Sequence, residues 1–106
     1  MKTLNIRGHQ VTFDIEEILA DTVDVSFTCD GLYSEENANC FSIAEIRGIL
    51  HALLEELGRH HKGRIAIYSP TDGRRERIYK CLLERRGVEV KTGWGGDDDW
   101  KYFSIP

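Results

Sequence analysis

No stretch of this chain is apolar for long enough to cross a bilayer, and Met1-Lys2-Thr3-Leu4 runs into alternating residues where a signal peptide would carry an apolar block. The expectation is a cytoplasmic protein with no membrane association. The three cysteines, Cys29, Cys40 and Cys81, are odd in number and form no C-x-x-C pair, which speaks against both a disulfide framework and a zinc site. Reduced, mostly buried thiols are expected, with a Cys29 to Cys40 bridge as the alternative that the short loop between them permits. The glycines have the spacing of neither a P-loop nor a dinucleotide fingerprint. Positive charge is not in excess either: the net charge is −4, which disfavours non-specific nucleic-acid binding.

What is present fits a single domain. A chain of 106 residues, 41% hydrophobic and 30% charged, is ordinary globular material and needs no metal or disulfide to bury a core. The charge is uneven, with eleven acids against four bases in residues 1–60 and seven acids against ten bases in residues 61–106. Balances of −7 and +3 favour an acidic and a basic face unless folding interleaves the halves.

Periodicity supplies the elements. Leu4, Ile6, Val11, Phe13 and Ile15 alternate with polar residues on either side of Gly8-His9, which reads as a hairpin; Val23, Val25, Phe27 and Cys29 alternate as a third strand. Residues 30–40 read as a loop that carries Leu32 and Tyr33 outward. Ser42-Ile43-Ala44-Glu45 is a capping box, and Ile43, Ile46, Leu50, Leu53 and Leu57 form the apolar stripe of a helix ending at Gly58. The cationic run Arg59 to Lys62 complements that helix end, and adjacent histidines within it cannot face one metal ion.

Ile65 to Tyr68 lack alternation, as in a strand covered on both faces and central in its sheet. Ser69-Pro70-Thr71-Asp72 then offers a cap at Ser69, or alternatively at Thr71 or Asp72. A second helix follows, with Ile78, Tyr79 and Leu82 on its buried arc, Cys81 and Leu83 at the margins, and Gly87 closing it. Arg75 and Arg86 fall within the apolar arc, where an arginine must reach water or find an acid. Val88 and Val90 open another strand, and Trp100 to Ile105 make the last, giving a terminal hairpin with an acidic tip. The order is βββαβαββ: an α+β fold with a mainly antiparallel sheet of five to six strands and both helices on one face.

Three kinds of chemistry suggest themselves. Helix N–H groups, the hydroxyls of Ser69 and Thr71, and the guanidinium groups of Arg74, Arg75 and Arg77 suit a phosphate, carboxylate or RNA contact, unless local acids occupy them. Asp97, Asp98 and Asp99 form a tip flanked by Trp94 and Trp100, aromatic residues of the kind that anchor interfaces; the loop lacks the alternating oxygen ligands of a calcium site. Cys29 or Cys40 beside His9 or His51 would make a thiol nucleophile, although no local motif supports activation.

The element order, together with Asp72-x-x-Arg75-x-x-x-Tyr79, resembles the C-terminal part of the acetyl-coenzyme-A-dependent N-acetyltransferase (GNAT) superfamily, whose motif reads Asn-x-x-Ala-x-x-x-Tyr. The resemblance implies a general-acid role for Tyr79 and a pyrophosphate loop before the first helix. The only comparable pair for that loop, Arg47-Gly48, lies inside the helix that starts at Ser42, where backbone donors are already used. The expectation is therefore a non-enzymatic binding protein without a cofactor, engaging a protein partner or a second copy of itself. Its contacts are Leu32, Tyr33, Trp94, Asp97, Asp98, Asp99 and Trp100, with Ser69, Thr71, Arg74, Arg75, Arg77 and Tyr79 as the ligand alternative.

Overall fold

The alternation at the start of the chain folds into two antiparallel strands, β1 (Thr3–Ile6) and β2 (His9–Leu19). They are joined by Arg7-Gly8, both at positive φ, the two-residue turn whose twist matches that of the flanking strands. In this computed structural model the backbone is described at residues 3–30, 32–33, 41–70 and 73–106, and the side chains at the same residues except 32, 33 and 74. Next comes β3 (Thr22–Cys29), antiparallel to β2 in a register that sets Val11 opposite Cys29, Phe13 opposite Phe27 and Ile15 opposite Val25. Because side chains alternate with period two, this register puts all six on one face. A two-residue strand, β4 (Leu32–Tyr33), pairs with the end of β3 inside the stretch expected to be loop.

Helix α1 (Ile43–His60) begins with the capping box complete. Ser42 Oγ accepts from the Glu45 N–H at 3.2 Å, and a Glu45 carboxylate oxygen accepts from the Ser42 N–H at 2.9 Å. The helix does not stop at Gly58, as expected, but runs on to His60. The glycine has a different purpose: a Cβ there would stand 3.3 Å from the Pro106 carbonyl oxygen, so the small residue admits the Pro106 backbone against the helix.

Strand β5 (Ile65–Tyr68) lies parallel to β3 on one side and antiparallel to β7 (Lys101–Ser104) on the other, which makes it central as its apolar run implied. Helix α2 (Gly73–Arg85) starts four residues beyond Ser69, so Ser69 is not its cap; the alternatives at Thr71 and Asp72 lie outside the described residues. Its C-terminus is a Schellman motif. Gly87 at φ 81° sends its N–H to the Glu84 carbonyl, and the Val88 N–H reaches the Leu83 carbonyl. Arg86 lies just past the helix and is exposed, whereas the buried face is held by Leu82 and Leu83. Cys81 is exposed too, contrary to the expected buried thiol, because its position turns away from the sheet. Val88 and Val90 are buried without being part of a ladder; pairing begins only at β6 (Lys91–Thr92), which meets β7.

The sheet order is β1-β2-β3-β5-β7-β6, with β4 beside β3 off that path, and β3 with β5 is the one parallel pair among the described residues. Val11, Phe13, Val23, Ala66 and Phe103 share a single buried cluster with leucines of both α1 and α2, so both helices cover the same face. The other face carries Asp14, Glu16, Asp24, Ser26 and Tyr102 by strand parity and no helix among the described residues. No helix of the described chain is long and apolar enough to cross a membrane.

Candidate binding surfaces

Several of the residues singled out by sequence meet where β5 ends. Tyr68, its last residue, is paired in register with Lys101, the first of β7. The Ser69 hydroxyl donates to the Asp99 carbonyl at 3.4 Å, and the Lys101 ammonium donates to the Asp98 carbonyl at 2.9 Å while lying 3.4 Å from the Glu76 carboxylate. Only 8% of the Lys101 side chain is exposed, so these two oxygens are what keep a nearly buried cation satisfied. They also tie the acidic tip to the first turn of α2. Within the tip, an Asp97 carboxylate oxygen accepts from the Asp99 N–H at 2.9 Å, which folds the loop on itself.

Behind this junction lies an aromatic cluster. Tyr79 packs edge-on against Tyr68 and Phe27, and Tyr68 packs in turn on Phe103. The Tyr68 hydroxyl is buried and has no hydrogen-bond partner among the described residues. Burial first, and then the Glu76 carboxylate, push its phenol well above the usual range. Arg75 is buried on the same side of α2, as its place on the apolar arc requires. Ser69, Arg75, Tyr79, Asp98 and Asp99 therefore belong to one end of the sheet.

The remaining predicted residues lie elsewhere. Arg77 is on the outer side of α2, beside a shallow open groove of about 430 Å³ that it shares with Lys80, Cys81, Glu84 and Arg85. Trp94 begins a single 3₁₀ turn (Trp94–Gly96) and packs at a tilt against Tyr102 on the helix-free face, 5.4 Å between ring centroids, while Trp100 is half-buried. Leu32 and Tyr33 are placed by their backbone alone, and Thr71 and the Arg74 side chain lie outside the described residues.

A feature that periodicity could not reveal is the outer edge of β2. The described part of β1 pairs only with His9 to Thr12, leaving β2 from Phe13 onward with β3 on one side and no strand on the other among the described residues. On the helix-free face of this edge stand Asp14 and Glu16, with Asp24 directly opposite Glu16 on β3. The Asp24 carboxyl is raised from its ordinary value by burial, then by Glu16 and Asp14, with the Val25 N–H opposing. Past Glu17 the ladder carries a bulge, and Ile18 and Leu19 are 42% and 57% exposed.

Of the pairings weighed for a thiol nucleophile, the structure makes one. His9 opens β2, Cys29 closes β3, and the register between the strands brings them together with Asp30. His51 pairs instead with Glu55 on α1, and Cys40 lies outside the described residues. Cys29 is fully buried, which removes it as an accessible nucleophile. No family model, no curated protein and no solved structure matches this chain.

Proposed function

We propose that this protein is a binding module without a reaction of its own, and that it takes an extended segment of a partner protein along the outer edge of β2. The observation that carries this reading is the outer edge of β2 from Ile15 to Leu19, whose backbone N–H and C=O groups have no ladder on that side among the described residues. Such an edge is a template for strand addition, in which main-chain hydrogen bonds supply affinity and alternate side chains supply specificity. The chemistry of the edge selects the occupant. An added strand would set every second side chain beside Asp14 and Glu16, and the others beside Phe13 and Ile15 on the helix-covered face. An alternating basic and apolar segment satisfies both rows. A second copy of this chain would face the same acids with acids, so a foreign partner is favoured over a homodimer at neutral pH.

The test uses a capped peptide, Lys-Val-Lys-Val-Lys-Val, titrated into isotopically labelled protein. Amide resonances of residues 13–17 should shift, the shift should weaken with salt, and Glu16→Lys should abolish it. Equal shifts with Glu-Val-Glu-Val-Glu-Val, or none along β2 at millimolar peptide, would sink the proposal.

A second reading rests on the β3–β5 pair, which is parallel from Thr22 to Asp24 on β3 and ends beside the rings of Phe27, Tyr68 and Tyr79. Crevices at the carboxyl ends of parallel strands are common ligand sites. In this reading the chain is a GNAT-like scaffold that holds a small ligand and performs no acetyl transfer. Gly48 sits in the second turn of α1, where its N–H is engaged within the helix and is not available to a pyrophosphate. Acetyl-coenzyme A at millimolar concentration should therefore leave the melting temperature unmoved, and a clear rise would favour a cofactor-binding role instead.

A further inference from the structure

His9, Cys29 and Asp30 offer an imidazole nitrogen, a sulfur and a carboxylate oxygen that all lie within 4.8 Å of one another. We propose that this trio is a binding site for a thiophilic first-row divalent cation, Zn²⁺ above all. The three residues are far apart in sequence and are assembled by the β2–β3 register, in which Val11 stands opposite Cys29 and His9 lies two residues further toward the open end. The carboxylate is aimed by the backbone. Asp30 sits at φ 52°, a left-handed conformation that aspartate tolerates better than most residues. Its N–H donates to the Gln10 carbonyl at 2.7 Å, and one carboxylate oxygen accepts from the Gln10 N–H at 2.8 Å. These two bonds clamp Asp30 across the end of β2, and its other oxygen is left 2.8 Å from His9 Nδ1 and 3.8 Å from Cys29 Sγ.

Those distances suit a metal. Bonds of about 2.0–2.3 Å in a tetrahedral zinc site place neighbouring ligand atoms roughly 3.2–3.8 Å apart. The pair at 2.8 Å must open slightly and the thiol must close on the other two ligand atoms. The donor set, one sulfur with one nitrogen and one oxygen, favours zinc, cobalt or ferrous iron over the hard cations that take oxygen alone. Access is one-sided. Cys29 is fully buried, the Phe41 ring packs edge-on against His9, and the His9 and Asp30 side chains are 34% and 47% exposed, so a cation enters from solvent and water completes its shell. On binding, Cys29 gives up its thiol proton to solvent, and the neutral His9 ring binds through Nδ1 with its proton on Nε2.

The spectroscopic probe is Co²⁺, added to the Cys40→Ser/Cys81→Ser protein, in which Cys29 is the sole thiol. One equivalent should produce a thiolate-to-cobalt charge-transfer band with visible d–d bands, and Zn²⁺ should displace it. Adding His9→Ala or Asp30→Ala retains the thiol and should weaken cobalt binding on the order of 10- to 100-fold or more. Far-UV circular dichroism of each variant checks that the fold survives. A protein that stays folded and shows no charge-transfer band, or a band of equal affinity in His9→Ala, overturns the assignment. Neither result bears on strand addition at β2, whose test uses no metal.

Discussion

Glu16 and Asp24 stand directly opposite one another on β2 and β3, two carboxylates on the helix-free face with Asp14 on the same side. Like charges in that relation are destabilising, so the sheet holds an electrostatic conflict that local packing does not remove. A cationic strand added along β2 would relieve it, which links the conflict to the proposed binding.

The pH dependence of this pair has a definite sign. Asp24 in the fold is raised above its ordinary 3.8, so its contribution is most favourable below that value and is lost as pH rises through the folded-state pKa. Asp24→Asn should therefore stabilise the protein at pH 7 by a few tenths of a kcal/mol, and the gain should vanish in acid. Urea unfolding at pH 7 and at a pH below 3.8 measures both.

Glu45 behaves in the opposite way. The Arg7 guanidinium, bonded to it at 2.6 Å, and then the Ser42 N–H hold its carboxyl at about 2 against an ordinary 4.5. Its stabilisation is complete above 4.5 and is lost as pH falls toward about 2. Glu45→Gln should flatten the stability profile across that window, and Ser42→Ala, which removes the other half of the capping box, should cost roughly 0.5–2 kcal/mol at pH 7.

Two glycines of α1 separate propensity from packing. Gly48 has open space where a Cβ would go, and Gly58 has the Pro106 carbonyl oxygen at 3.3 Å. Gly48→Ala should gain up to about 1 kcal/mol. Gly58→Ala should gain distinctly less or lose stability, since the Pro106 backbone must give way. Equal gains in thermal unfolding would show that the Pro106 backbone does not press on the helix.

Tyr68→Phe tests the buried hydroxyl at the end of β5. Removing a buried group that has no partner among the described residues should leave stability unchanged or raise it by up to about 1 kcal/mol. A loss above that size would reveal a bond the hydroxyl makes.

What was legible in the sequence was whatever depends on neighbours a few residues apart. The capping box at Ser42 and Glu45, the closure of α2 at Gly87 and the alternation of β3 are local, because their hydrogen bonds and face assignments repeat with the backbone period. Even the unusual position of Arg75 followed from helical wrapping alone. The same rules misplaced the end of α1 at Gly58. A glycine selected for close approach looks the same in sequence as one selected for a left-handed cap, and the deciding contact comes from Pro106.

The sequence by itself determined the α+β class, the two amphipathic helices and most of the strands. Only the tertiary structure decided which strands are neighbours, and with that every candidate site. Ser69 meets Asp99 because β7 pairs with β5, Asp24 meets Glu16 because β2 and β3 adopt one register, and His9 meets Cys29 for the same reason. A one-residue slip in that register would send each side chain to the opposite face. Such pairings are set by burial of the whole apolar face at once, an interaction between residues distant along the chain that no local window contains.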